Sequence, residues 1–481
     1  MKSIIEQELS FLKRQGVDYA DIRMVDTKIE DIETENGQVK EISNRRSKGF
    51  GIRVILDGSL GFSSTQDVNS LHDTAVKAVD IAKASRILQK EKIDLAKKES
   101  IVDTYKTPIE VDPFSVQLKE KIDLLTSSEA LMKEDPDVTR TTGRLIFQRQ
   151  DKIYADTEDS YIVQELFESG GGITAFATYE GDTQARSYPN SGGNYGTAGY
   201  EYVTALDLKS NAKRIGEEAS RLVRAEECPS GLFDVVVNSD QMTLQIHESI
   251  GHPIELDRIF GSEAAYAGMS FVHVDMLEEQ YRYGSEHVNI VADATIPQAL
   301  GTFGYDDDGI KAHATTIIDK GIIKNFITSR DTAVKLDQPS NGTNRADGWG
   351  NIPIVRMTNI SILPGDYELD ELFAGIDDGL FLSTNKSWSI DDKRINFQFA
   401  TEIAYEIKEG RLTGKIYKNP IYSGITPEFW NSCDGVANKD HWQVYGTPNC
   451  GKGQPGQSAH VAHGSSPTRF RNVKVGVVDA N

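Results

Sequence analysis

The chain has only three cysteines in 481 residues, Cys228, Cys433 and Cys450. They are too few and too far apart for a disulfide framework, and an odd number leaves at least one thiol free. A reducing compartment is the expectation, where a thiol is available as a metal ligand or a nucleophile. Positive charge is also short. Against 73 Asp+Glu stand 52 Lys+Arg, a formal net charge of −21. Such a surface repels phosphate backbones and anionic lipid heads, which excludes nucleic-acid or membrane binding through a general positive field. No apolar run approaches the roughly 18 to 20 residues needed to cross a bilayer. The opening residues, Met1-Lys2-Ser3-Ile4-Ile5-Glu6, turn acidic and amphipathic at once and lack the apolar core of a signal peptide. These absences predict a soluble, cytoplasmic protein.

What is present is ordinary folded composition: 38% hydrophobic and 26% charged residues, so disorder is not the default. The length calls for two or three domains. Apolar spacing predicts a helix from Ser3 to about Gln15, then strands from Tyr19. Asn36-Gly37 marks one hairpin turn, and Gly51 to Phe62, with Asp57-Gly58, writes a second. Helical patterns cover about 67–86, 114–133 and 206–226. Residues 90–100 read as an exposed connection, and 138–205 as largely β with Gly170-Gly171-Gly172 and Asn190-Ser191-Gly192-Gly193 as turns or loops. Cys228-Pro229-Ser230-Gly231 is a breaker cluster. Beyond it come strand-like segments at Phe233–Val237, Thr315–Ile318, Ile322–Phe326 and Thr401–Ile407. The expected fold class is α+β in two domains. A mixed α/β N-terminal domain covers 1–226, with a candidate sub-boundary near 100. A largely β C-terminal domain, 227–481, carries a short metal-binding helix.

The sharpest motif is His247-Glu248-Ser249-Ile250-Gly251-His252. It resembles the His-Glu-x-x-His of zinc peptidases with one extra residue. On an α-helix, positions i and i+5 lie about 140° apart, so two imidazoles meet one ion only if the helix relaxes. A single π-type turn, or a helix end near Gly251 before Pro253, supplies that relaxation. Catalytic zinc takes three protein ligands and keeps a position for water. Glu248, next to a ligand, suits general-base work on that water. The bland alternative is a pair of helix histidines satisfied by hydrogen bonds. The residues leave the third ligand open among Glu255 and Asp257 nearby and Cys433, His441, Cys450, His460 and His463 further off.

A longer ordered set carries a resemblance over nearly the whole chain. It comprises Gly49-Phe50-Gly51-Ile52-Arg53-Val54, Ser191-Gly192-Gly193, Gly199-Tyr200-Glu201, His247-Glu248-x-x-x-His252-x-x-Glu255, Asp307-Asp308-Gly309, Arg356-Met357-Thr358-Asn359 and Cys450-Gly451-Lys452-Gly453-Gln454. The chain resembles the TldD/PmbA family, in its TldD-type, metal-carrying branch. The resemblance implies a zinc peptidase with His247, His252 and Cys450 as ligands and Glu248 as catalytic base. It also implies a homodimer, or a heterodimer with a metal-free PmbA-type subunit, acting on unfolded chains or short peptides. One departure is local: bacterial members commonly carry glycines soon after the second histidine, where this chain has Pro253 and Leu256. Two other function classes compete. A catalytically silent, peptide-binding partner subunit is expected to lack the histidines and the cysteine, which are all present here. A cysteine hydrolase would pair Cys450 with His441, His460 or His463. Asp306-Asp307-Asp308-Gly309 has a hard-cation site as one reading and a solvated acidic turn as the favoured one. Arg345 and Arg356 have a substrate-carboxylate clamp as one reading and surface ion pairs as the favoured one. Asn344 and Trp349 have no assignable role.

Overall fold

The computed structural model describes residues 1–476. Of the chain, 43% lies in strands and 23% in helices, so strands set the architecture, within a mixed α/β fold. The first eight-stranded sheet is ordered Ser59–Thr65, Gln38–Leu56, Tyr19–Glu35, Val138–Asp156, Tyr161–Tyr179, Val102–Lys106. Asp182–Tyr188 and Asn194–Gly196 also pair with Tyr161–Tyr179. The long strands arise from two-residue turns. Asn36 and Gly37 have φ of 55° and 76°, and Asp57 and Gly58 have 51° and 76°. Positive φ at both turn positions matches the right-handed strand twist and sets hairpin register. The first hairpin runs from Tyr19↔Ile55 to Glu35↔Gln38 with one shift at Glu33/Thr34.

Two pairs of helices cover this sheet. Lys2–Arg14 and Leu71–Ser85 bury Ile5, Leu12, Ala78 and Val79 with Ile22, Ile52 and Val54. Leu118–Met132 and Leu208–Val223 bury Leu125, Met132, Ile215 and Ala219 with Leu145, Phe147 and Ile173. Removing such apolar area from water is the main stabilisation here, at about 25 cal/mol per Å².

One expectation fails in this half for a packing reason, and two hold with a qualification. Gly170-Gly171-Gly172 is not a turn but the middle of strand Tyr161–Tyr179. A Cβ on Gly170 would sit 2.3 Å from the Asn194 carbonyl oxygen, and one on Gly171 2.2 Å from that of Arg144. The glycines admit backbone at close quarters. The stretch 138–205 is largely β as expected, but ends in a helix, Tyr200–Leu206. The 90–100 connection is pinned and not simply exposed: Lys98 pairs with Asp156 at 2.7 Å, both buried, and the Ala96 carbonyl accepts from Arg330 Nε.

The second eight-stranded sheet is ordered Asp378–Ile390, Gly231–Val237, Thr468–Val475, Ile421–Ile425, Asn396–Lys408, Arg411–Lys418, Glu226–Glu227, with Cys433–Val436 beside Thr468–Val475. Asp378–Ile390 also pairs with Asn396–Lys408, which closes five strands into a ring. A four-stranded sheet (Ile322–Ile323, Ala314–Asp319, Ile290–Asp293, Ile360–Ile362), the hairpin of Gln443–Lys452 with Gln457–Ser465 and the short pair Asn344–Arg345 with Ile354–Val355 complete this half. Helix Ser239–Ile246 leaves strand Gly231–Val237 through Asn238 and enters the large core with Met242, Ile246 and Ile250.

The halves are latched by buried charge. Arg53 donates to Asp21 at 2.6 Å and to Asp308 at 2.7 Å. The Asp306-Asp307-Asp308 run is therefore not solvated. Asp306 accepts backbone N–H groups from Asp308, Ile310 and Asn344, and Asp307 pairs with Lys152 at 2.8 Å. Trp349 packs against Gly49 and donates to Ser47 at 2.9 Å, which gives that residue an inter-sheet role. Removing one partner of a buried pair leaves an uncompensated charge. Arg53→Met should lower unfolding free energy by roughly 3 to 5 kcal/mol. The measurement is the chemical denaturation midpoint, and an unchanged midpoint would refute the latch.

Candidate metal centre

Helix Ser239–Ile246 does not continue as a regular α-helix. Residues His247–Gly251 form one π turn, closed by the His252 N–H donating to the His247 carbonyl at 3.1 Å. The spacing of the two histidines demanded such a relaxation, and the ring centroids are 4.9 Å apart. The wide turn frees carbonyls from the usual ladder, and Tyr283 Oη–H donates to that of Ser249. Ser249 Oγ in turn accepts from Trp430 Nε1 at 2.9 Å. Gly251 is required for space and not for an unusual backbone angle. A Cβ there would lie 2.1 Å from the Met357 sulfur.

His247, His252 and Cys450 are brought together, each offering one donor atom within 4.8 Å of the others, and all three are buried. Cys450 Sγ lies 3.7 Å from His252 Nε2. Tetrahedral zinc with bonds of about 2.0–2.3 Å separates its donors by roughly 3.3–3.8 Å, so the donor set fits that ion in chemistry and scale.

The outer contacts fix which nitrogen each ring presents. His463 Nδ1 lies 2.8 Å from the Ile360 carbonyl, which only accepts, so Nδ1 carries the proton. Burial holds His463 well below the ordinary histidine range, so the ring is neutral and its Nε2 accepts. That nitrogen is 2.8 Å from His247 Nδ1, which therefore donates and leaves its Nε2 lone pair free. His252 Nδ1 is 3.0 Å from Glu255 Oε2, so His252 likewise presents Nε2. Burial lowers the pKa of both ligand-position rings, favouring the neutral form a cation needs. For Cys450 burial works upward, but His252 and then Arg356 outweigh it and hold the thiol below its ordinary value.

Glu255 is thus used on His252, and four more charges behind it are buried. Lys452 Nζ sits 2.7 Å from Asp257, 3.4 Å from Glu255 and 3.6 Å from Glu263. Arg258 reaches Glu255 at 3.3 Å and Glu263 at 3.1 Å. Burial opposes ionisation of Glu255, but Lys452 and His252 keep it well below the usual range. Three acids face two bases, and Glu263 takes the excess: burial, with Glu255 next, raises it from 4.5 to about 7.

The remaining sequence candidates stand elsewhere. Asp257 serves Lys452, and Cys433 lies among the buried aromatics of the core with burial pushing its thiol to about 12. His460 pairs with Glu168 at 2.5 Å and His441 lies 3.6 Å from Glu368. Since the imidazole on Cys450 is His252, the cysteine-hydrolase pairing with His441, His460 or His463 is not formed. Arg345 and Arg356 are not surface ion pairs. Arg356 is buried and donates to the carbonyls of Cys450 and Gln457, locking the hairpin that carries the thiol. Arg345 donates to the carbonyls of Met357 and His460, and burial, then Arg356, pushes it down to about 10. Asn344 is buried with both side-chain polar atoms unpartnered among the described residues.

Glu248 is buried beside the donors and its Oε2 accepts from Arg394 Nη1 at 2.6 Å. Sequence reasoning missed Arg394, His463's outer role, Tyr283 and Trp430, because no local spacing joins them to the motif. Two clefts of about 420 and 360 Å³ meet at Ile29, Gln148 and His460, between the long first-sheet strands and the Cys450 hairpin. None of the three donors or Glu248 lines either cleft.

Glu263 generates a pH prediction. A carboxyl raised from 4.5 to about 7 binds more protons folded than unfolded, so its contribution is full below 4.5 and is lost as pH rises through about 7. Relative to wild type, Glu263→Gln should gain stability between pH 5 and pH 8, by at most about 3 kcal/mol. Parallel denaturation curves at the two pH values are the check, and a pH-independent difference would contradict the raised pKa.

Known proteins extend this geometry. Residues 20–85, 111–226 and 230–476 match the profiles described as PmbA/TldA metallopeptidase domain 1, central domain and C-terminal domain. The first two share one sheet here, through pairing of Tyr19–Glu35 with Val138–Asp156. A metalloprotease of Methanocaldococcus jannaschii is 31% identical over 457 residues, 94% of this chain and 96% of that one. A protein of Saccharolobus solfataricus named zinc metalloprotease TldD homolog is 25% identical, over 96% and 97% of the two chains. Among solved structures, a putative modulator of a DNA gyrase from Thermotoga maritima superposes with a TM-score of 0.78 at 18% identity, covering 99% and 100%. TldE from Thermococcus kodakarensis gives 0.72 at 14%, covering 98% and 100%. At those identities the two structures speak for the fold alone. With three consecutive profiles spanning most of its length, the chain belongs to the TldD/PmbA family of metallopeptidases.

Proposed function

We propose that this chain is a zinc-dependent, TldD-type peptidase that hydrolyses peptide bonds in unfolded polypeptides or short peptides. The observation that carries the reading is the convergence of His247 Nε2, His252 Nε2 and Cys450 Sγ, with Glu248 on the adjoining residue. Names of relatives, metalloproteases of archaea and bacteria, support it.

Those three side chains would hold the ion. When bound, zinc lowers the pKa of water to about 7 and polarises a carbonyl. Glu248 takes the proton of the attacking water and later passes it to the leaving amine. His463 and Glu255 keep the two imidazoles in the donor tautomer, as outer partners of metal-ligating histidines do. Arg356 holds the Cys450 backbone in place. We place the protein in the cytoplasm, as a homodimer or as a heterodimer with a PmbA-type subunit. Support is the free-thiol chemistry of Cys450 and the family membership.

The test pairs metal content with cleavage in one preparation. Zinc should copurify at about one per chain, and Cys450→Ser should lose most of it. Full zinc in that variant would give the third position to another donor. His463→Ala should weaken zinc roughly 10- to 100-fold by releasing His247. Glu248→Gln keeps shape and hydrogen bonding, so zinc should stay while cleavage falls roughly 10²- to 10⁴-fold. Loss of zinc with activity would make Glu248 a ligand, and near-normal cleavage would remove it from the mechanism.

A further inference from the structure

Arg394 occupies the tip between strands Asp378–Ile390 and Asn396–Lys408 and reaches Glu248 with Nη1. Three observations separate this contact from an incidental ion pair. The backbone of Arg394 has φ of 63°, a left-handed conformation that glycine or asparagine adopts at lower cost. The position therefore keeps arginine for its side chain. The guanidinium Nε is buried with no partner among the described residues, although an unmade buried donor is expensive. And the turn is held rigidly from both sides. Asp391 accepts from the backbone of Ile395 and Asn396, Thr426 donates to the carbonyls of Arg394 and Ile395, and Met269 and Phe271 N–H donate to the carbonyls of Asp392 and Lys393.

Exposure indicates the side of approach. The Glu248 side chain is 7% exposed and that of Arg394 14%. The segment bonded to the Arg394 turn carries Tyr266 and Met269, 59% and 43% exposed. Of the pair, the guanidinium is the more exposed to a peptide arriving from solvent.

We propose that Arg394 is a catalytic residue, one N–H held on Glu248 and another donated to the oxygen of the scissile peptide carbonyl. The proposal rests on the peptidase reading above. As the water oxygen bonds to the carbonyl carbon, the carbonyl π pair moves onto oxygen and Glu248 takes the water's proton. Collapse re-forms the carbonyl, breaks the C–N bond and returns that proton to the leaving nitrogen. The charge appears on the carbonyl oxygen, where a fixed, water-excluded donor stabilises it most. A guanidinium is suited to both contacts because it presents five N–H donors in one plane.

The test uses the zinc-loaded full-length protein and two probes. One is an alanine-flanked phosphinic dipeptide, whose tetrahedral anionic oxygens mimic the developing charge. The other is its reduced-amide (CH2–NH) counterpart, which has no such oxygen. Calorimetric affinity for the phosphinic probe should fall roughly 10²- to 10³-fold in Arg394→Gly and about 10-fold in Arg394→Lys. Affinity for the reduced amide should stay within about 2-fold, and zinc content should not change. Arg394→Gly leaves the buried Glu248 carboxylate unpaired, so Arg394→Lys, which keeps a cation beside it, is the folding control. Equal losses for both probes would make Arg394 a structural residue and overturn the proposal. Phosphinic binding that ignores both substitutions, or none by the wild type, would overturn it too. Failure of the fully zinc-loaded wild type, alone and with a PmbA-type subunit, to cleave casein or short peptides made from it would instead overturn the peptidase reading.

Discussion

The hydrogen bond from the His252 N–H to the His247 carbonyl decides whether this site exists. With a regular i to i+4 bond the two imidazoles would point about 140° apart, and no third ligand would bring them onto one ion. The extra residue widens one turn and returns both rings to the same side. That widening is not free, since a π turn weakens the ladder. The surrounding core absorbs it. Tyr283 and Trp430 reach in from distant segments to the Ser249 carbonyl and hydroxyl, and the Met357 sulfur fills the space that a side chain at 251 would need. The motif is six residues long, but its geometry is held by residues up to 216 positions away.

Outside the donors the electrostatics are layered. Nearest the rings are single partners, a neutral His463 and an ionised Glu255, which settle the tautomers. Behind Glu255 lies the cluster of Lys452, Arg258, Asp257 and Glu263. Lys452 is two residues beyond Cys450, so one short stretch supplies both the thiol and the cation that stabilises Glu255. Burying unlike charges rarely adds much net stability, and replacing such a set by apolar groups is often neutral or better. We read its value here as orientation: Glu255 is held ionised and in place for His252.

Much of this was legible from sequence, and the failures have a common cause. Helix and strand periodicity, the Asn36-Gly37 and Asp57-Gly58 turns and the relaxed helix at 247–252 are local properties, and the structure has them. What sequence reasoning lost were residues whose environment is made by distant chain. Gly170-Gly171-Gly172 reads as a turn by composition, yet its lack of side chains serves close contact with Arg144 and Asn194. Three consecutive aspartates read as solvated, yet Arg53, Lys152 and backbone N–H groups from other segments surround them. Arg394 carried no motif at all. Its signal is a positive φ beside an unpartnered nitrogen, visible only in three dimensions.

The placement of Cys450 ties the site to both halves of the molecule. His247 and His252 stand on a helix that leaves the second sheet, while Cys450 and His463 stand on the two strands of one hairpin, Gln443–Lys452 and Gln457–Ser465. That hairpin is sewn to the first sheet. Asn194 accepts from the Gly446 N–H and donates to the Val444 carbonyl, and Gly446 has no room for a side chain against the Tyr195 carbonyl. His460, on the same strand as His463, binds Glu168 of the first sheet. The thiol and the imidazole behind His247 are therefore positioned from one side, and the two imidazoles that complete the donor set from the other. Small shifts between the halves act directly on the donor separations, which tolerate only a few tenths of an ångström. The long strands, Arg53 with its two aspartates and Trp349 against Gly49 resist such shifts. The extended first half thereby bears on the donor geometry without supplying any of the three donor atoms.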